Sequence, residues 1–175
     1  MTLDPFAVLG LPRAFAVDLA AIEKTHRELS RALHPDRYTG AAPTERRAAL
    51  SKAVEVNEAW RVVRDPVRRA EALLSLAGVP VGEDKEPPAS PDLLMEVMEQ
   101  REALAEARAA KDHAKIEALV REMEDDVKEA ERALGAALDA GDRARAALEE
   151  LGRLRFYRRF LEEAHGALEA LDHAV

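Results

Sequence analysis

The chain has 175 residues, no cysteine, and a formal net charge of -8 at pH 7. These totals exclude disulfides, thiolate nucleophiles and cysteine-held metal sites, and the negative balance argues against nonspecific nucleic-acid binding, which needs basic groups on phosphates. No apolar run approaches the ~20 residues of a membrane-spanning helix, and an N-terminus carrying Asp4 does not read as a secretory signal, so a soluble cytoplasmic protein is the expectation.

Ala, Leu, Glu and Arg dominate, all good helix formers, and apolar alternation with period two is almost absent. An all-α fold follows. Charge is unevenly placed. Residues 1–78 hold 12 Lys+Arg against 10 Asp+Glu, and residues 79–175 hold 14 against 24. The two halves are expected to meet different partners.

Asp4-Pro5 reads as a helix cap followed by proline at the first helical position. Phe6, Val8 and Leu9 follow, and Gly10 suits the left-handed position after a short helix. Asp18 caps a second helix. Leu19, Ile22, His26, Leu29 and Leu33 recur on one helical face, while Lys24, Arg27 and Arg31 share the opposite one. Pro35 then disfavours helical geometry at His34 and lacks an amide hydrogen. The helix must end there, with His34 and Asp36 displayed on a short stiff turn. Thr44 or a neighbour starts a long helix with Ala49, Ala53, Val56, Trp60 and Val63 on one face, antiparallel to the one before it. Asp65-Pro66 repeats the cap-plus-proline signal, and a further helix runs through Ala70, Leu73, Leu74 and Leu76 to Gly78.

Residues 79–90, rich in proline and charge, read as a linker. Ser90-Pro91 opens the first of three long helices. It runs to about Ala110, with Leu94, Val97, Leu104 and Ala105 as its expected core face. The second carries Ile116, Val120, Met123, Val127, Ala130 and Leu134. The break before it is marked only by Asp112, and Gly141-Asp142 marks the turn after it. The third carries Leu154, Tyr157, Leu161, Ala164, Leu168 and Leu171. The pattern predicts an antiparallel three-helix bundle over residues 91–175. Gly135, Gly152 and Gly166 fall inside it with no evident reason.

Met95, Glu99, Glu102 and Glu106 are rotated off the expected core face of the first bundle helix, with Met98 between. Phe156 and Phe160 lie off the main stripe of the third. A wide core stripe would absorb the apolar residues. Alternatively, adaptable Met side chains rimmed by carboxylates form a partner surface.

A catalytic reading of His34 and Asp36 needs a nucleophile and oxyanion donors, and nothing nearby supplies them. His26, His113, His165 and His173 show no ligand spacing with His34, so no metal site is expected. His26 reads as a hydrogen-bonded histidine on the apolar face. There is no glycine-rich phosphate loop.

A short helix, a helix with a basic outer face, His34-Pro35-Asp36 in the loop and a long antiparallel helix together resemble a J domain. Asn57-Glu58-Ala59-Trp60 and Asp65-Pro66 resemble the end of its third helix. The second half narrows the resemblance. Ala70-Glu71-Ala72-Leu73-Leu74-Ser75-Leu76, Leu94-Met95-Glu96, Arg101-Glu102 and Leu154-Arg155-Phe156 look like HscB-type J-domain co-chaperones of iron–sulfur cluster biogenesis, over about residues 3–172. The Gly/Phe-rich segment and cysteine-rich zinc domain of generic J proteins are missing.

The resemblance implies a J domain at residues 1–78 and a scaffold-binding bundle at 91–175. His34, Pro35 and Asp36, aided by Lys24, Arg27 and Arg31, would engage an HscA-type (DnaK-like) chaperone ATPase, with ATP and magnesium bound by that partner. Leu94, Met95, Met98, Glu99, Glu102, Glu106 and Phe156 would bind an IscU-type iron–sulfur scaffold protein. The chain itself would hold no cofactor and catalyse no reaction. Two alternatives stay open: a J protein delivering other clients, and a structural helical protein with an incidental tripeptide.

Overall fold

The computed structural model describes residues 3–82, 89–140 and 144–173. Among them the fold is all-α, without strands, and no helix is long and apolar enough to cross a membrane. The chain divides into two compact units, Met1–Pro80 and Val81–Val175.

The first unit contains α1 (Pro5–Val8), α2 (Leu19–Ala32), a single 3-10 turn (Pro35–Tyr38), α3 (Pro43–Arg64) and α4 (Pro66–Leu76). Aspartate caps set three of the four α-helix starts. The Asp4 carboxylate accepts from the amides of Phe6 and Ala7, that of Asp18 from Ala21, and that of Asp65 from Arg68. Each such cap contributes about 1 kcal/mol. The exception is α3, which begins at Pro43 behind Ala42 with no side-chain cap. Gly10 takes φ 68° after α1 and Gly78 takes φ 78° after α4, the left-handed conformation that spares glycine a Cβ clash.

Phe6, Leu9, Ile22, Val56, Ala59 and Val63 form the core of this unit. The sequence segment Asn57–Trp60 fastens α3 to α2. Asn57 Oδ1 lies 2.9 Å from His26 Nε2, and the Trp60 ring stacks on the His26 ring at 5.1 Å. Between them Ala59 is buried and carries too little side chain to hold the helices apart. His26 is half-buried at the edge of the core, and its Nε2 also lies 3.3 Å from the Ser30 hydroxyl. Leu19, expected on the inner face, is instead exposed, since it stands at the first turn of α2. Arg69 ties α4 back to α3. Its Nη1 donates to the Val63 carbonyl at 2.8 Å, and its guanidinium lies 4.7 Å from the Phe15 ring centroid.

The second unit contains α5 (Pro91–Ala109), α6 (His113–Asp139) and α7 (Ala144–Asp172). Ser90 caps α5 by accepting from the Leu93 amide, and Asp112 caps α6 by accepting from Lys115. Lys111 makes the intervening turn at φ 53°. His113 at the start of α6 lies 3.2 Å from Asp172 at the end of α7, so those helices run antiparallel. Arg108 of α5 lies 3.9 Å from Glu163 of α7, and Glu96 of α5 meets Tyr157 of α7. Hence α5 runs parallel to α7, and the order is up-down-up. The predicted turn at Gly141-Asp142 lies outside the described residues, as do residues 83–88 of the linker.

The bundle core is built mainly by α6 and α7, through Ile116, Leu119, Met123, Ala130 and Leu134 against Leu151, Leu154, Tyr157, Phe160, Ala164 and Ala167. Phe160 follows the wide-core alternative. It is 1% exposed and belongs to the core, because the α7 stripe is wide enough to take both Tyr157 and Phe160. The expected core face of α5 is also rotated. Leu93, Leu104 and Ala107 are buried, Val97 is half-buried, and Leu94 and Ala105 are exposed.

Candidate functional site

The loop after α2 is tied by its own hydrogen bonds. His34 precedes the 3-10 turn and caps it, with the Asp36 amide donating to its Nδ1 at 3.3 Å. The Arg37 amide donates to the His34 carbonyl at 3.0 Å, and the Thr39 hydroxyl donates to the Asp36 carbonyl. Tyr38 folds back, its hydroxyl donating to the Ala32 carbonyl at the end of α2. His34 Nδ1 also lies 3.5 Å from an Asp36 carboxylate oxygen. Neutral, that nitrogen accepts the amide; protonated, it pairs with the carboxylate. Through these contacts His34 orients the turn from the solvent side instead of by packing.

Asp36 is 87% exposed at the side chain. Its carboxylate has lone pairs to spare for a charge-assisted partner. Lys24, Arg27 and Arg31 are exposed on α2, and Arg27 also pairs with Glu23 at 3.3 Å. Leu33, Pro35, Tyr38, Arg46, Ala49 and Leu50 line a hollow of about 180 Å³ beside the loop. Leu50 and Val54, one turn apart on α3, expose apolar side chains. The sequence reading missed them, though both stand off the Ala49–Val63 stripe.

A second exposed set lies on the bundle. Leu94, Met95 and Met98 are 51%, 61% and 70% exposed. Glu99, Glu102 and Glu106 are exposed on the same helix. The wide-core alternative therefore fails for both methionines, and Leu94 departs from the core placement expected of it. Phe156 is half-buried on α7. It borders a cleft of about 730 Å³ whose lining includes Leu94, Val97, Leu148, Gly152 and Arg153. The Arg101 guanidinium lies 5.7 Å from the Phe156 ring centroid, joining α5 to α7 at the patch.

Inside this patch is a feature the sequence reading did not single out. The Tyr157 hydroxyl donates to Glu96 Oε1 at 2.6 Å. Burial, then the Glu96 carboxylate that holds the phenolic proton, push the tyrosine well above its ordinary range. Asp126 of α6 is also raised, first by burial and then by the nearby Glu96, Glu122 and Asp125 carboxylates. A tyrosine on a core stripe was the available signal, since a buried hydroxyl needs a partner. Among the described residues no group of three or more His, Asp or Glu side chains is placed to hold a metal ion.

Family models match both units. A "DnaJ domain" model matches residues 4–72, and an "HSCB C-terminal oligomerisation domain" model matches residues 89–165. The chain is 40% identical over 169 residues to the co-chaperone protein HscB homolog of Cupriavidus taiwanensis, covering 97% of this chain and 96% of the relative. The chain belongs to the HscB co-chaperone family. An HscB homolog of an Azoarcus species is 39% identical over 170 residues, with the same coverage. Among solved structures, chaperone HscB from Vibrio cholerae aligns with a TM-score of 0.85 and 29% identity, covering 97% of this chain and 99% of that one. The human co-chaperone protein HscB aligns with a TM-score of 0.84 and 27% identity, over 94% and 81%. The first unit is thus a J domain, and the His34-Pro35-Asp36 loop sits between its two long helices.

Proposed function

We propose that this HscB-family chain binds an IscU-type iron–sulfur scaffold protein through α5 and α7, delivers it to an HscA-type (DnaK-like) chaperone, and stimulates that chaperone's ATPase. The observation that carries the reading is a pair of exposed surfaces on separate units of one co-chaperone. One is polar, built around Asp36 on a hydrogen-bonded turn. The other is apolar with an acidic rim, built from Leu94, Met95, Met98, Phe156, Glu99, Glu102 and Glu106.

The two surfaces suit different work. A single exposed carboxylate on a hydrogen-bonded turn pairs with an arginine through strong, directional hydrogen bonds, so Asp36 supplies a signal more than an adhesive area. His34 and Pro35 fix the turn that presents it. Lys24, Arg27 and Arg31 attract an acidic chaperone surface and orient the encounter. ATP binding and hydrolysis take place in the partner. On the bundle, methionines adapt to an irregular apolar partner, and the carboxylate rim selects for basic groups around it.

Asp36→Asn keeps the shape of the turn and removes the charge. Stimulation of a purified HscA-type chaperone's single-turnover ATP hydrolysis should fall at least tenfold, as expected for a lost charge-assisted contact. Circular dichroism and scaffold affinity should be unchanged. Met95→Asp should do the reverse, losing scaffold binding while chaperone stimulation by the co-chaperone alone persists. Wild-type stimulation by Asp36→Asn would remove the mechanism. Full scaffold binding by Met95→Asp would move the delivery site elsewhere.

A further inference from the structure

The methionines of α5 work as a patch with Phe156 of α7 only if α5 is held at one rotation about its axis. Apolar packing holds it weakly where it matters. Leu93, Leu104 and Ala107 are the buried residues of α5, and Met95 and Met98 lie between the first two. In that stretch Val97 and Ala103 are only half-buried, as are the polar Glu96 and Gln100.

Two polar ties to α7 fill the gap. Glu96, next to Met95 in sequence, accepts the Tyr157 hydroxyl at 2.6 Å. Tyr157 itself is 5% exposed, anchored in the α6–α7 core. Arg101, less than one turn beyond Met98, lies 5.7 Å from the Phe156 ring centroid. Phe156 and Tyr157 are sequence neighbours with their rings edge-to-face at 6.0 Å. The two ties therefore bracket Met98 and end on adjacent aromatic residues. An O–H to carboxylate bond of this length is in the strong class and is directional. It fixes rotation in a way that a sliding apolar contact does not.

We propose that Tyr157 and Glu96 are positioning residues of the scaffold-binding patch: their bond sets the rotation of α5 on α7 and keeps Met95 and Met98 in line with Phe156. Neither residue needs to touch the partner. The proposal rests on the reading of that patch as the scaffold surface.

The test is Tyr157→Phe in the full chain, which keeps the buried ring and deletes the hydroxyl. Scaffold affinity should weaken about tenfold, while stimulation of the chaperone by the co-chaperone alone stays at the wild-type level. Glu96→Gln keeps an acceptor oxygen and should bind near wild type. Glu96→Ala should bind as weakly as Tyr157→Phe, and combining Glu96→Ala with Tyr157→Phe should weaken binding no further. Methyl spectra of the methionines give a readout that needs no partner. In Tyr157→Phe the Met95 and Met98 signals should move, and that of Met123 on α6 should stay. Unchanged scaffold affinity in Tyr157→Phe, or unmoved Met95 and Met98 signals, overturns the proposal. A wild-type chain that binds no scaffold overturns the proposed function instead, and the methyl spectra still decide whether the bond sets α5.

Discussion

Asp126 shows at the scale of one residue how the bundle carries a cost. It faces the α5–α7 tie from α6, and burial followed by Glu96, Glu122 and Asp125 raises its carboxyl. A carboxyl whose folded pKa lies above its unfolded value, about 3.9, binds more protons folded than unfolded. Stability then falls as pH rises through that window and stays reduced above it. Asp126→Asn removes the charge at similar size, so it should raise the melting temperature at pH 7. The gain should shrink as pH is lowered toward 4, as read by thermal unfolding across that range. An equal gain at both pH values would mean that the charge is not the cause. Single residues were unevenly legible. Asp36, Met95 and Met98 stand where the sequence placed them, because loop position and helical rotation alone decide their exposure. The helical stripe put Leu94 toward the core and left Phe160 undecided between core and surface. Each lies at a stripe edge, and only the packed neighbour decides which side of it is wet. Glu96 and Tyr157 were invisible as a pair because their bond spans two helices.

Elements were easier to read than residues, since their ends are local chemistry. Asp4, Asp18, Asp65, Ser90 and Asp112 all cap helices through their own side chains, and four of them precede a proline or stand beside a clear change of pattern. The turn before α6 was faint for a physical reason. Lys111 occupies a left-handed position at φ 53° where glycine would have announced the break. The start of α3 was legible only to within a residue of Thr44, because Pro43 begins it without a side-chain cap. Gly166 remains without a role. It lies inside α7, and a Cβ added there meets nothing within 4 Å. Gly166→Ala should therefore stabilise the chain by about 0.5–1 kcal/mol, seen as a higher urea midpoint with an unchanged slope. A lower midpoint would mean that the glycine relieves a constraint in α7 beyond its side-chain space.

At the scale of the whole molecule, charge is divided along the chain, and the proposed function reads that as a division between partners. The basic side chains Lys24, Arg27 and Arg31 are exposed on the J domain, and the acidic excess lies in residues 79–175. Among the described residues the ion pair along that stripe is Arg27 with Glu23, exposed on both sides and worth little in water, so the stripe remains available to an acidic partner. Exposed charges act across roughly a Debye length, about 10 Å at 0.1 M salt and less above it. Steering by the stripe should thus fade as salt rises from ~0.05 to ~0.5 M, increasing the concentration needed for half-maximal chaperone stimulation about tenfold while the maximal rate holds. Lys24→Glu with Arg31→Glu should already be weak at low salt and should flatten that dependence. Because the stripe and the Met95–Met98 surface belong to different units, the same double variant should leave scaffold affinity unchanged. A salt-independent midpoint in the wild-type chain would assign chaperone recognition to the Asp36 loop and the apolar hollow beside Pro35 alone. A changed scaffold affinity in the double variant would mean that the two surfaces are coupled.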